Sequence, residues 1–168
     1  MNYEFFEAYD GKYLDNHSKF LRSGEIGCAK SHIELWKKCL ELNVPLLILE
    51  DDSIYRKNFV DILKKLEIHN FYNCSSILFL GGSPRGFDRI DKTAINDMLS
   101  HKMKKKSWFR MEAYVIFPTN LKSMIDNYNY ETPIDIYINN RMDNIMMLNH
   151  EITYPGNSNI DSDTTSNS

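Results

Sequence analysis

Three consecutive carboxylates, Glu50, Asp51 and Asp52, are the part of the sequence with the clearest capacity for chemistry. They directly follow the apolar run at 45–49, which is typical of a buried central strand covered on both faces. Ligands of α/β sheets bind beyond the carboxyl ends of strands, and adjacent carboxylates repel one another unless a cation neutralises them. The triplet therefore favours a divalent metal ion, and its oxygen ligands suit Mg²⁺ or Mn²⁺ bridging to a diphosphate.

The geometry of the triplet depends on the local backbone. If the chain stays extended, Glu50 and Asp52 face one way and Asp51 the other, because residues two apart share one side of a strand. The alternative to a metal site is a solvated acidic strand end or a helix N-terminus, which needs no ligand. From the residues alone, both interpretations stay open.

Other side chains give weaker signals. His32 lies on the apolar-faced helix predicted at 23–42, where a histidine is more often a packed support beneath a site than a ligand. Gly81 and its neighbour Gly82 end a predicted strand, where a ligand could approach the backbone closely. Arg85 and Arg110 could pair with diphosphate oxygens or simply be solvated on a loop.

The elements that would position these residues alternate between short β-rich runs and longer segments of helical period. This order predicts an α/β domain with a mostly parallel sheet. The segment 83–107 lacks periodicity and is expected to be a long surface segment of the kind that often binds ligands. Strands are predicted at 3–8, 45–49, 76–80 and 113–117, helices at 23–42, with Ser23 as N-cap, at 58–66 and at 119–127, and a helical turn at 133–139.

Length and composition bound the class of protein. The 168 residues are enough for one domain with an ordinary core, which we place at 1–157, followed by a polar tail at 158–168 that we expect to be mobile. The tail carries Asp161 and Asp163, which could help to close a donor site. The net charge of −3 lacks the basic excess of a general nucleic-acid binder, so nucleic acid is excluded as a first choice of partner.

The cysteines and the apolar runs indicate a compartment. Cys28, Cys39 and Cys74 are odd in number and lie far apart, which favours a reducing environment over a disulfide framework or a zinc knuckle. No apolar run approaches the ~20 residues of a membrane span. We expect a cytoplasmic protein whose association with a membrane, if any, is peripheral.

Longer stretches of the chain resemble glycosyltransferase family 25, which includes the lipooligosaccharide galactosyltransferases and the collagen hydroxylysine galactosyltransferases. The block at 24–36 joined to the acidic triplet is the most specific part of this resemblance. The matching stretches are YEFFEAYDG at 3–11, GEIGCAKSHIELW at 24–36, LILEDD at 47–52, AYVI at 113–116, PID at 133–135, YP at 154–155 and SD at 162–163.

The resemblance implies a GT-A-like, Rossmann-type domain that binds a nucleotide sugar. In such a domain Asp52 would be the direct ligand of Mn²⁺ or Mg²⁺, and Glu50 and Asp51 would support the metal or reach the donor ribose. An inverting transfer also needs a carboxylate that takes the proton of the acceptor hydroxyl. Asp135 is the first candidate for this base and Glu112 the second, although Asp135 could equally be a helix N-cap.

The function that follows is a metal-dependent glycosyltransferase, as in lipopolysaccharide biosynthesis or protein glycosylation. It would transfer galactose or glucose from a UDP-sugar to a glycan or a hydroxylysine-type acceptor, with inversion. The alternative is a catalytically inactive domain of the same fold that binds sugars or assembles with other chains, including copies of itself. A Mg²⁺-dependent phosphohydrolase could use the same triplet, but the sequence has no P-loop or nucleophile motif.

The resemblance begins at Asn2. Members of the family usually carry a strand and a helix, with an Asn-Leu-x-x-Arg-like stretch, before the segment that matches 3–11. We therefore expect an N-terminally shortened domain in which a neighbouring strand has unpaired backbone groups. Activity then depends on what takes the place of that strand, such as a partner chain.

Overall fold

The computed structural model describes residues 3–15, 18–66, 68, 76–81, 89–93, 100–103, 111–142, 145–148 and 153–155. Several residues of interest lie outside these ranges, and the extent of the domain at 1–157 stays a prediction. These residues are Cys74, Gly82, Arg85, Arg110, Asp161, Asp163 and the rest of the tail at 158–168.

Four helices and eight strands make up the described part of the chain. The helices are α1 (Ser23–Leu42), α2 (Phe59–Lys65), α3 (Leu121–Asp126) and α4 (Ile134–Arg141), and a short 3₁₀ turn covers Gly11–Tyr13. The strands are β1 (Leu46–Leu49), β2 (Ser53–Tyr55), β3 (Ile77–Phe79), β4 (Arg89–Thr93), β5 (Ser100–Met103), β6 (Ala113–Ile116), β7 (Ile145–Leu148) and β8 (Thr153–Pro155).

Helix α1 is the longest element and begins and ends close to the predicted positions. Its N-cap is Arg22 and not Ser23: the Arg22 N–H donates to Glu25 Oε2 at 2.8 Å, which satisfies a backbone donor at the helix start. Asn43 ends the helix in the left-handed conformation with a φ of 53°. None of the helices in the described part of the chain is long and apolar enough to cross a bilayer.

The main sheet has six strands in the order β1-β6-β3-β7-β5-β4, and β2 pairs with β8 in a separate antiparallel ladder. In the main sheet β3 and β7 are parallel, whereas the other four neighbouring pairs are antiparallel. The prediction of a mostly parallel sheet is therefore wrong in its pairing. The reasons are β6, which lies between β1 and β3 and runs opposite to both, and β5, which runs opposite to both β7 and β4. The fold is a mixed α/β arrangement.

Two predicted strands differ in the structure. Residues 3–8 form no strand: the segment leads to Tyr9, whose N–H donates to Ser31 Oγ on α1 at 2.9 Å, so it runs beside the helix instead of joining a sheet. The strand predicted at 45–49 exists as β1, but it lies at one edge of the described sheet and is only partly buried. Its continuous apolar sequence suggested a central strand because β1 packs on both faces of the sheet, Ile48 in one core cluster and Leu47 against the other, although it lies at an edge.

The segment expected to be a long surface loop contains two strands. β4 and β5 form an antiparallel hairpin that extends the sheet beyond β7. Strands β2, β7 and β8 were also not predicted, because they are short and their partners lie far away in the sequence. The helix predicted at 119–127 is shorter, as α3, and the helical turn at 133–139 is a full helix, α4.

Alternating side chains divide the core between the two faces of the sheet. Phe79 and Tyr114 face α1, α3 and α4, where Trp36 is fully buried, whereas Leu78 and Val115 face α2. Successive strand residues point to opposite faces, so short apolar strands cover both layers. The sheet is therefore packed between α1, α3 and α4 on one face and α2 on the other.

Candidate functional site

The acidic triplet begins where β1 ends beside the start of β6. Leu49 pairs with Ala113, and the Glu50 N–H donates to the carbonyl oxygen of Glu112 at 2.9 Å. The antiparallel pairing therefore places the backbones of Glu50 and Glu112, which are distant in sequence, side by side.

The triplet is a turn and not an extended chain. The Ser53 N–H donates to the Glu50 carbonyl oxygen at 3.2 Å, and Asp51 and Asp52 lie exposed at the tip of the turn. The expectation that Glu50 and Asp52 share one side of a strand is therefore wrong. The Ser53 hydroxyl also donates to the Glu112 carbonyl oxygen at 2.5 Å, which fastens the turn to β6.

The Glu50 side chain points inward, onto a chain of buried polar groups. Its Oε1 lies 3.1 Å from His32 Nε2 on α1, and His32 Nδ1 lies 2.7 Å from the Tyr114 hydroxyl on β6. The Trp36 indole N–H donates to the same hydroxyl at 3.0 Å. His32 is 4% exposed and Tyr114 is fully buried. The position of Glu50 is thus determined by groups from α1 and β6.

The charges of this chain of groups favour a protonated histidine. Burial by itself lowers the pKa of His32, but hydrogen bonds with Cys28 and Glu50, and the charges of both, outweigh it and raise that pKa to about 9. Both ring nitrogens then donate, Nε2 to Glu50 and Nδ1 to Tyr114. Burial raises the pKa of Tyr114 well above its usual range, so its hydroxyl stays neutral.

The surroundings of Asp52 disfavour the charged form of its carboxylate. Partial burial raises its pKa, and the charges of Glu50 and Asp51 raise it further. A divalent cation would offset this repulsion, and Mg²⁺-like ions typically take one or two protein carboxylates and complete their shell with water and phosphate. The residues at the turn therefore fit a hard cation held through Asp52.

Asp135 is half-buried in the first turn of α4. Its Oδ1 accepts the Ile136 N–H at 2.7 Å, and burial raises its pKa, with the charges of Glu25 and Glu50 adding to the effect. Of the three carboxylates of the triplet, Glu50 is the one whose charge raises the pKa of Asp135. The N-cap of α4 is Pro133, so the alternative that Asp135 is a helix cap is wrong.

Glu112 and Gly81 are held within the protein. The Glu112 side chain is 4% exposed, so a hydroxyl arriving from solvent has little access to it. Gly81 follows β3 and bridges to Thr153 of β8, and a Cβ at Gly81 would lie 2.6 Å from the Thr153 carbonyl oxygen. Close packing against Thr153 therefore accounts for glycine at this position.

Two residues of the candidate site, Cys28 and Tyr114, were not predicted from the sequence to belong to it. Cys28 belongs to the group Cys28, His32 and Glu50, whose ligand atoms all lie within 4.8 Å of one another. The four-residue spacing of Cys28 and His32 on one helix could have signalled this pair. Tyr114 had no signal, because in sequence it is one residue of an apolar strand.

The fold and the site define a mixed α/β protein with an acidic turn at the edge of its sheet. Comparison with protein families is more specific. Residues 1–138 match the family described as glycosyltransferase family 25 (LPS biosynthesis protein), and the chain belongs to this family, as its resemblance predicted.

Two curated relatives come from Acanthamoeba polyphaga mimivirus. The chain is 28% identical over 153 residues to a procollagen lysyl hydroxylase and glycosyltransferase, a match that covers 77% of this chain and 16% of the relative. It is 32% identical over 104 residues to a putative glycosyltransferase, covering 54% of this chain and 32% of the relative. The matches thus span a third or less of these relatives.

Proposed function

We propose that this chain is a metal-dependent glycosyltransferase domain that transfers galactose or glucose from a UDP-sugar, with inversion, to a hydroxyl acceptor. The observation that carries the proposal is the acidic turn, in which Asp51 and Asp52 lie exposed at the tip while His32 holds Glu50 beside the end of β1. Family 25 membership supports a GT-A-like mode of donor binding at this edge of the sheet. A cytoplasmic location and self-association remain predictions of the same hypothesis.

Asp52 is the residue we assign to the metal, with Glu50 as a second ligand and Asp51 toward the donor ribose. When bound, Mn²⁺ or Mg²⁺ would neutralise charge on the departing diphosphate. His32 holds Glu50 Oε1, which restricts the carboxylate and leaves Oε2 as the oxygen that could reach the metal. Such restriction lowers the entropic cost of binding a charged ligand.

Asp135 is the base we assign to the acceptor hydroxyl. In an inverting transfer it accepts the hydroxyl proton as the oxygen attacks the anomeric carbon and the diphosphate departs. Its raised pKa supports this role, because a more basic carboxylate takes a proton more readily. The buried position of Glu112 favours Asp135 over Glu112.

The acceptor has two candidates. A relative named as a procollagen lysyl hydroxylase and glycosyltransferase supports a hydroxylysine-type acceptor, and the family description as an LPS biosynthesis protein supports a glycan. Both present a hydroxyl, so the same base serves either reaction. A screen of both acceptor classes with UDP-galactose and UDP-glucose distinguishes them.

The test measures binding of UDP by calorimetry, with and without Mn²⁺, and turnover of UDP-hexose. We expect UDP to bind only with Mn²⁺, and Asp52→Asn to weaken this binding at least tenfold and to lower kcat/KM about 100-fold, the loss of a charge-stabilising group. Asp126→Asn is the matched control, because it removes an exposed carboxylate that pairs with Lys122 on α3.

The results separate the proposal from its alternative. UDP-hexose binding that depends on Asp52 without turnover of any acceptor or of water would indicate the inactive, sugar-binding domain. Binding that is equal in wild type and in Asp52→Asn would contradict the metal assignment.

A further inference from the structure

A second set of ligand atoms lies beneath the acidic turn. In the described part of the chain, one group brings three possible metal ligands within 4.8 Å of one another, and it consists of Cys28, His32 and Glu50. Cys28 and His32 are four residues apart on α1, so they share a face of the helix, and Glu50 approaches them from the end of β1. Three ligands from two separate elements therefore converge on one point.

The donor set differs from that of the turn above it. Thiolate, imidazole and carboxylate together favour Zn²⁺ over the hard cations that carboxylates alone select. Three protein ligands leave a fourth tetrahedral position for water. Ligand atoms around a tetrahedral Zn²⁺ lie about 3.5 Å apart, so atoms that already lie within 4.8 Å of one another need only small side-chain movements to close the site. Cys28 is exposed, which gives a metal ion access from solvent.

The surroundings of His32 suit a metal ligand, with the metal ion taking the place of the proton that Nε2 holds in the metal-free site. Its Nε2 is the nitrogen that faces Glu50 Oε1, at 3.1 Å, and its Nδ1 lies 2.7 Å from the Tyr114 hydroxyl. A histidine that binds metal through one nitrogen usually donates its other N–H to a fixed acceptor. The Tyr114 oxygen is fixed by the Trp36 indole N–H at 3.0 Å and has a second lone pair for Nδ1–H.

We propose that Cys28, His32 and Glu50 form a binding site for Zn²⁺ or a similar borderline cation, which joins α1 to the end of β1. The site is distinct from the proposed Asp52 site in its donor chemistry. Glu50 is common to both, and its Oε1 is the oxygen directed at His32. Binding at the thiolate site requires no turnover, so the test is independent of the proposed glycosyltransferase activity.

The experiment is a titration of the chelator-treated full chain with Co²⁺, which reports a bound thiolate by a charge-transfer band in the near ultraviolet. We expect one equivalent to produce this band and Zn²⁺ to abolish it by displacement. We expect Zn²⁺ also to raise Tm, because a ligand that binds the folded state stabilises it.

The variants identify the ligands. Cys28→Ser should abolish the band, and Glu50→Gln should weaken Co²⁺ binding at least tenfold; both residues are at least partly exposed, so these variants should fold. Cys39→Ala, which removes another thiol of α1, and Asp52→Asn should keep the band. Absence of binding, binding without the thiolate band, or a band that survives Cys28→Ser would each overturn the proposal.

Discussion

At the scale of single residues, the site depends on carboxylates in unlike surroundings. Asp51 and Asp52 are exposed, Glu50 is held by His32, Asp135 is half-buried and Glu112 is buried. Each surrounding changes what the same functional group can do. An exposed carboxylate binds cations, and a partly desolvated one accepts protons more readily.

The roles of Asp135 and Glu112 are separated by substitution. We expect Asp135→Asn to lower kcat about 100- to 10,000-fold, the usual range for loss of a general base. UDP binding should change little, because Asp135 is assigned to the acceptor. Glu112→Gln is the matched control and should have the smaller effect on kcat. A larger loss in Glu112→Gln than in Asp135→Asn would reverse the assignment.

If Asp135 is the base, as proposed, it also determines the pH dependence of activity. Because burial raises the pKa of Asp135, the carboxylate becomes protonated at a higher pH than an ordinary aspartate, whose pKa is about 3.9. Activity is therefore expected to fall, as pH decreases, along an acid limb displaced upward from that value. A profile of kcat/KM against pH for folded enzyme tests this, and a limb at or below the ordinary value would contradict it.

At the scale of elements, α1 carries the N-terminal segment as well as the site. Gly27 on this helix packs against the Tyr9 carbonyl oxygen and the backbone of Gly11, and a Cβ at Gly27 would lie 2.7 Å from Gly11 N. The Ser31 hydroxyl donates to the Gly27 carbonyl oxygen and accepts from the Tyr9 N–H. The segment therefore stays close to the helix only if residue 27 lacks a side chain.

Gly27→Ala tests this packing. Its methyl group would meet backbone atoms that cannot rotate away, so we expect a loss of about 1–3 kcal/mol in the free energy of unfolding. Gly24→Ala lies in the same helix at a half-buried position and should be neutral or slightly stabilising, since alanine favours helix. Urea denaturation measures both. Equal urea midpoints for Gly27→Ala and wild type would show that the N-terminal segment moves away from α1 without loss of stability.

At the scale of the whole molecule, His32 links stability to pH. Its pKa is raised from 6.5 to about 9, so the folded state holds the proton more tightly than the unfolded state. The stabilisation is complete below pH 6.5 and is lost as pH rises through about 9. By linkage the loss is up to about 3 kcal/mol, because each pKa unit corresponds to about 1.4 kcal/mol.

Unfolding free energies measured by urea between pH 6 and 10, without metal, test this prediction. Glu50→Gln should make the free energy of unfolding depend less steeply on pH, because it removes a partner that helps His32 to retain its proton. His32→Gln should remove this pH dependence if the variant folds. A slope that is unchanged in Glu50→Gln would assign the pH dependence to other groups.

Sequence and tertiary structure contributed different parts of this description. Helix α1, the apolar strands and the acidic triplet could be predicted because each depends on the periodicity or composition of one short stretch of sequence. Family 25 membership likewise followed from ordered local motifs, and the family match confirmed it.

The arrangement of these parts was decided only in three dimensions. The sequence does not state that β6 lies between β1 and β3, because strand partners are chosen by packing across long separations. That choice places Glu50 beside Glu112 and brings Tyr114 and His32 together. The same packing brings Glu50 to Cys28 and His32, which already share a face of α1, and makes Glu50 one of the charges that act on Asp135. The acidic residues could be identified from the sequence, whereas the environment of each one depends on neighbours that only folding brings close.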